Sequence, residues 1–153
     1  MYVRLYFAYG SNMSRARLEA RVGPVDDLGW SSARDYCHRF NKRGADGSAK
    51  GNIVRLPGAV VHGVLYRLDA GQLEELAKYE GGYLRNQLRV LNRTGADYVE
   101  SVSFEAHAAL VAPGLVPTEQ YVAHYEAGMR EHGLPPDYVC RVLFEARMAL
   151  RYG

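Results

Sequence analysis

The period of the apolar pattern changes along this chain, and that change limits the folds open to it. Val3 to Ala8 is a short, β-prone, largely apolar run that reads as a buried strand. Arg34 to Asn41 and Asn52 to Leu56 read as two further strands around a polar loop, Gly44 to Gly51. Ala59 to Leu68 carries Val and Leu on both faces, and Gly63 within it permits a bulge or a close backbone approach. Arg85 to Asn92 and Val99 to Val111 complete the strands, with Val102, Phe104 and Ala106 on one face. Helical spacing appears at Ser14 to Val22, after Asp69, from Thr118 to His132, and from Asp137 onward through Val139, Val142, Leu143, Ala146 and Leu150. The strands do not form repeated βαβ units, and helices gather towards the C-terminal end. That order predicts an α+β fold with a mixed sheet. Periodicity does not say whether the sheet closes.

The helix after Asp69 has the clearest boundaries. Asp69 is an N-cap, Gln72 completes a capping box, and Leu68 and Leu73 are placed for a hydrophobic staple. Leu73, Leu76 and Ala77 form its apolar face, Glu74 and Lys78 an i,i+4 pair, and Gly81-Gly82 its end. Glu80 follows Leu73 by two turns and so shares the apolar face. It also sits at the helix C-terminus, where the macrodipole disfavours negative charge. Burial and the dipole would both raise its pKa and fit it for proton transfer. The plainer alternatives are a carboxylate turned to solvent or paired with Arg85.

Gly10-Ser11-Asn12 lies between the first strand and the first helix. Backbone N–H groups in such a turn can bind a carboxylate or stabilise an oxyanion; an ordinary strand-to-helix turn would look the same. The remaining patterns exclude more than they suggest. There is no G-x-S-x-G elbow, P-loop or dinucleotide fingerprint. The five histidines lack metal spacing, and Cys37 and Cys140 form no metal or disulfide framework. A formal net charge of +2 gives no case for a nucleic-acid partner. No 18-residue apolar span is present, so neither a membrane segment nor a signal peptide is expected. The expectation is a cytoplasmic chain of one domain, residues 1–153, monomeric or homodimeric. Sixteen of the nineteen cations are arginine. That suits carboxylate or phosphate binding, but coding bias is the plainer reading and the one adopted. The basic stretch Arg39 to Arg43 could meet an anion, but is read as solvated surface.

Tyr6-Phe7-Ala8-Tyr9-Gly10-Ser11-Asn12-Met13 closely resembles the opening signature of the γ-glutamylcyclotransferase-like family. The resemblance continues in order through Phe40-Asn41-Lys42-Arg43, Asp46-Gly47-Ser48 and Lys50-Gly51-Asn52-Ile53. It then takes in Gly63-Val64-Leu65-Tyr66, Tyr79-Glu80-Gly81, Pro117 to Tyr121 and Glu131 to Tyr138. It implies a mixed, closed β-barrel with flanking helices. It implies Glu80 as the catalytic acid and base, and substrate contacts from Tyr6, Tyr9, Gly10, Ser11, Asn12 and Tyr121, without metal or cofactor. The implied reaction cyclises the γ-glutamyl group of a small molecule to 5-oxoproline and releases an amine. Two departures stand out. Tyr83 comes earlier than the tyrosine that many members carry after the glutamate, and His107-Ala108-Ala109-Leu110 lacks another. The alternatives are a γ-glutamylamine cyclotransferase, which an acidic pocket rim would favour, and a non-catalytic binder of small ligands.

Overall fold

In the computed structural model, which describes residues 3–152, five strands close into a barrel. Met1, Tyr2 and Gly153, counted in the one-domain expectation, lie outside the described residues. The strands are β1 (Val3–Ala8), β2 (Asp26–Arg43), β3 (Ala49–Asp69), β4 (Tyr83–Asn92) and β5 (Asp97–Ala106), in the order β1-β3-β2-β4-β5. All sequential neighbours pair antiparallel, and a parallel contact between Tyr6 of β1 and Val102 of β5 closes the ring. The sheet is therefore mixed, as expected, and closed, as the family resemblance implies.

The long hairpin β2–β3 departs from the sequence reading. The short strands expected there are parts of two strands of 18 and 21 residues. Register shifts at Asp27/Gly29, Arg34/Tyr36 and Arg39/Lys42 interrupt their pairing. Each shift bends the ribbon and breaks the two-residue alternation, so a strand that curves round a barrel reads as several fragments. Gly63 is a close approach, since a Cβ there would lie 2.3 Å from the carbonyl oxygen of Ala8. Strand β5 ends at Ala106, because Ala108–Leu110 form a 3-10 turn capped by His107.

Four helices, α1 (Arg15–Val22), α2 (Ala70–Tyr79), α3 (Glu119–Glu131) and α4 (Pro136–Tyr152), flank the barrel. The N-caps Ser14, Asp69 and Thr118 each accept a backbone N–H, and both bonds of the Asp69–Gln72 capping box are present. Gln72 also donates to the carbonyls of Val22 and Pro24, which ties α2 to the end of α1. The expected Glu74–Lys78 pair does not form. Lys78 meets Glu75, and Glu74 meets Arg85 on β4. One continuous core of buried side chains runs from β1 through the barrel to α4.

Helix α3 lies backbone to backbone on a 3-10 turn formed by Ser11–Met13. A Cβ on Gly128 would come within 2.3 Å of the Met13 carbonyl carbon. Beneath the turn, the buried Tyr66 hydroxyl donates to the Met13 carbonyl at 2.9 Å. The turn is thus clamped between a helix and the barrel wall.

Candidate active site

Strand β1 and α2 both end at one mouth of the barrel, and this brings together residues far apart in sequence. Tyr6, Tyr9, Gly10, Ser11, Asn12, Glu80 and Tyr121 all line one cavity of about 360 Å³. A cavity of that size accepts a ligand of amino-acid or small-peptide size.

Glu80 is not part of α2 proper. It is the C-cap, with φ −102° and ψ 43°, and Gly81 and Gly82 carry the chain into β4. The residue is only partly buried, but its carboxyl end is enclosed by the cavity. Asn12 Nδ2 donates to Glu80 Oε1 and to the Tyr6 hydroxyl, each at 3.1 Å. Arg21 Nη1 donates to Asn12 Oδ1 at 3.1 Å, so both ends of the amide are fixed. Burial raises the Glu80 pKa, while Arg21, Lys42, the Asn12 bond and Arg17 pull it down. Arg85 does not reach Glu80, because its guanidinium is on Glu74 at 2.8 Å.

The other wall belongs to tyrosines. Tyr121 Oη accepts the N–H of Gly51 at 2.9 Å, and Tyr83 Oη donates to the Gly51 carbonyl at 2.6 Å. The Tyr9 hydroxyl donates to the carbonyl of Phe104. Burial raises the pKa of Tyr6, Tyr9, Tyr83 and Tyr121, so all four hydroxyls stay protonated near neutral pH. In the 3-10 turn the first internal bond runs from Met13 N–H to the Gly10 carbonyl at 3.0 Å. The N–H groups of Ser11 and Asn12 precede it and are not used within the turn. The Ser11 hydroxyl accepts from Arg17 Nε at 3.0 Å.

Sequence reasoning missed the cations. Arg17, Arg21, Lys42, Lys50 and Lys78 line the cavity, against Glu80 as the one carboxylate among the described lining residues. Arg17 and Arg21 are one turn apart on α1, a spacing that could have signalled a shared face. Lys42 corrects the reading of Arg39 to Arg43 as solvated surface. It is 5% exposed, donates from Nζ to the Gly81 carbonyl at 2.7 Å and lies 4.5 Å from the Tyr83 ring centre. Tyr83 itself belongs to the site despite its early position. His107 to Leu110 contribute no lining residue, although Leu110 packs against Gly82. Cys37 and Cys140 are free thiols, and no cluster suited to a metal occurs among the described residues. No described helix is long and apolar enough to cross a membrane.

Comparison with known proteins places this geometry among relatives. The model of the AIG2-like family matches residues 60–142, a stretch that includes Glu80 and Tyr121 but not the Gly10–Asn12 turn. A mouse protein named gamma-glutamylcyclotransferase is 26% identical over 146 residues, covering 88% of this chain and 74% of its own length. Among solved structures, a gamma-glutamyl cyclotransferase superposes with a TM-score of 0.84 at 22% identity, covering 93% of this chain and 87% of the other. A yeast cyclotransferase described as specific to glutathione superposes at 0.68 with 12% identity, covering 97% of each chain.

Proposed function

The chain belongs to the AIG2-like family and has the γ-glutamylcyclotransferase fold, and from that premise we propose that it cyclises a γ-glutamyl group to 5-oxoproline with Glu80 as acid and base. One observation carries this reading. The Glu80 carboxyl, its pKa raised by burial, lines the same cavity as the Gly10–Asn12 turn and is held there by the Asn12 amide.

The substrate's α-nitrogen attacks its own γ-carbonyl. A bond forms between that nitrogen and the γ-carbon, and the bond from the γ-carbon to the leaving nitrogen breaks. The α-ammonium starts with three protons. One remains on the lactam nitrogen, and two end on the released amine, which departs as an ammonium ion. Glu80 carries these two in turn, taking each from the α-nitrogen and giving it to the leaving group. A carboxyl whose pKa is raised by burial is a stronger base than an ordinary carboxylate and can still return the proton to the leaving nitrogen. The unused N–H groups of Ser11 and Asn12 supply donors for the α-carboxylate or the developing oxyanion. Because nucleophile and electrophile belong to one molecule, a pocket that holds the chain curled supplies much of the acceleration.

The five lining cations favour a leaving group that carries its own carboxylate, as in γ-glutamyl amino acids and peptides. A γ-glutamylamine with a cationic tail would meet repulsion at this rim, which is basic rather than acidic. A purely binding role leaves the raised pKa of Glu80 without use.

The test is incubation with γ-glutamyl dipeptides, glutathione and γ-glutamylamines, with 5-oxoproline measured by mass spectrometry. The reading expects product from the carboxylate-bearing substrates. Absence of 5-oxoproline across the whole panel would refute it.

A further inference from the structure

A buried ammonium beside the proposed acid and base has no part in the proton transfers above. Lys42 sits at the third register shift of the β2–β3 ribbon and lines the cavity. A lysine so enclosed needs partners. Its Nζ finds the Gly81 carbonyl, one residue beyond Glu80, and the face of Tyr83. The turn leaves it little room to go elsewhere, since a Cβ on Gly82, whose φ is +81°, would lie 3.1 Å from Nζ. The Glu80 turn is therefore held from three directions: Asn12 at the carboxylate, Lys42 at the Gly81 carbonyl, and Tyr83 through Gly51.

We propose that Lys42 is a positioning residue for Glu80, fixing the Glu80–Gly82 turn through the Gly81 carbonyl and supplying a buried positive charge that keeps the carboxylate available as a base. The catalytic half of this statement rests on the function proposed above; the coupling of the two side chains does not.

The charge balance around Glu80 gives Lys42 its weight. Arg17 and Arg21 act from α1, Arg21 through the intervening Asn12 amide. Tyr6 from β1, Tyr9 from the loop beyond it, Tyr83 from β4 and Tyr121 from α3 all face Glu80 as neutral hydroxyls. Lys78 of α2 lines the same cavity, and Lys50 of β3 bears on Lys42. Lys42 is thus the cation from the β2 side that opposes the desolvation of Glu80. The effect is mutual, because Glu80 favours the charged form of Lys42 against its own burial.

The experiment follows the Glu80 carboxyl carbon by ¹³C NMR across pH, assigned with Glu80→Gln, in the wild type, Lys42→Met and Lys42→Arg. Lys42→Met should raise the Glu80 midpoint by roughly one pH unit, the lower end of what a nearby opposite charge supplies. Lys42→Arg should restore it. In the wild type, the Lys42 ¹⁵Nζ resonance should show an inflection at the Glu80 midpoint, a readout that does not depend on a variant folding. A Glu80 midpoint unmoved in folded Lys42→Met, or a Lys42 resonance blind to the Glu80 titration, would overturn the proposal. Where 5-oxoproline is formed, the acid limb of kcat should move with the midpoint. A shifted midpoint in a protein that forms no 5-oxoproline would refute the proposed activity and leave the coupling standing.

Discussion

Glu80 is held by a short chain of contacts, Arg21 to Asn12 to Glu80, and each link predicts a different loss. Glu80→Gln keeps an oxygen for Asn12 but cannot carry protons, so 5-oxoproline formation should fall by about 10²–10⁴-fold. Wild-type turnover in that variant would show that the acid lies elsewhere. The same variant tests the linkage between charge and folding. A carboxyl whose folded pKa is raised favours the folded state below its ordinary pKa of 4.5 and loses that contribution as pH rises through the folded value. Glu80→Gln should therefore melt no lower than the wild type at pH 7, and the difference should vanish near pH 4; thermal melts at both pH values decide it. Ser11→Ala should be mild, because the Ser11 hydroxyl already accepts from Arg17 and the proposed donor is the backbone. Some of this was legible in the residues. Glu80 stood out because it closed an apolar helix face at a negative helix end. Arg17, Arg21 and Lys42 did not, because the one-turn spacing of Arg17 and Arg21 marks a shared face without telling whether that face meets a cavity or water, and Lys42 has no local mark at all.

At the scale of elements, the α3–turn contact and the β2–β3 ribbon carry the predictions. Gly128→Ala would drive a methyl into the backbone of Met13 and Ser14. It should cost about 1–3 kcal/mol of stability, the range for overpacking a filled contact, read from chemical denaturation. His62 on β3 accepts from Trp30 Nε1 on β2 at 2.9 Å, and burial lowers its pKa to about 4. Its contribution is complete above the ordinary imidazole pKa of 6.5 and declines as pH falls towards 4, because the unfolded chain takes up the proton first. Melting temperature should drop across that interval, and His62→Gln should flatten the slope. Helix positions read well from sequence because their caps are local, as Asp69 with Gln72 shows. The long strands read poorly because their bulges depend on a partner strand that local pattern does not reveal.

At the scale of the whole molecule, all three lysines of a nearly neutral chain and two of its sixteen arginines make an excess of positive charge at one opening. Such a field is screened by salt. KM for carboxylate-bearing γ-glutamyl substrates should rise with ionic strength, and KM for γ-glutamylamines should not. Lys50 stacks over Tyr121 at 4.5 Å and pairs loosely with Asp46 at 3.8 Å. Lys50→Ala should raise KM for the carboxylate-bearing substrates about fivefold, the worth of one exposed charge contact. Equal effects on both substrate classes would remove Lys50 from leaving-group recognition.

The α+β character, the capped helix that delivers Glu80, the strand-to-helix turn at Gly10–Asn12 and the resemblance that joined them were all legible along the chain. These rest on interactions within a few residues, or on motifs whose order along the chain is enough. Periodicity left the closure of the sheet open and the resemblance implied it, but it took the folded molecule to show that Asn12 meets Glu80 across 68 residues and that Lys42 is enclosed rather than solvated. The physical reason is the same in each case. A charge or an amide takes its character from the groups around it, and here those groups come from strands and helices that only the closed barrel brings together.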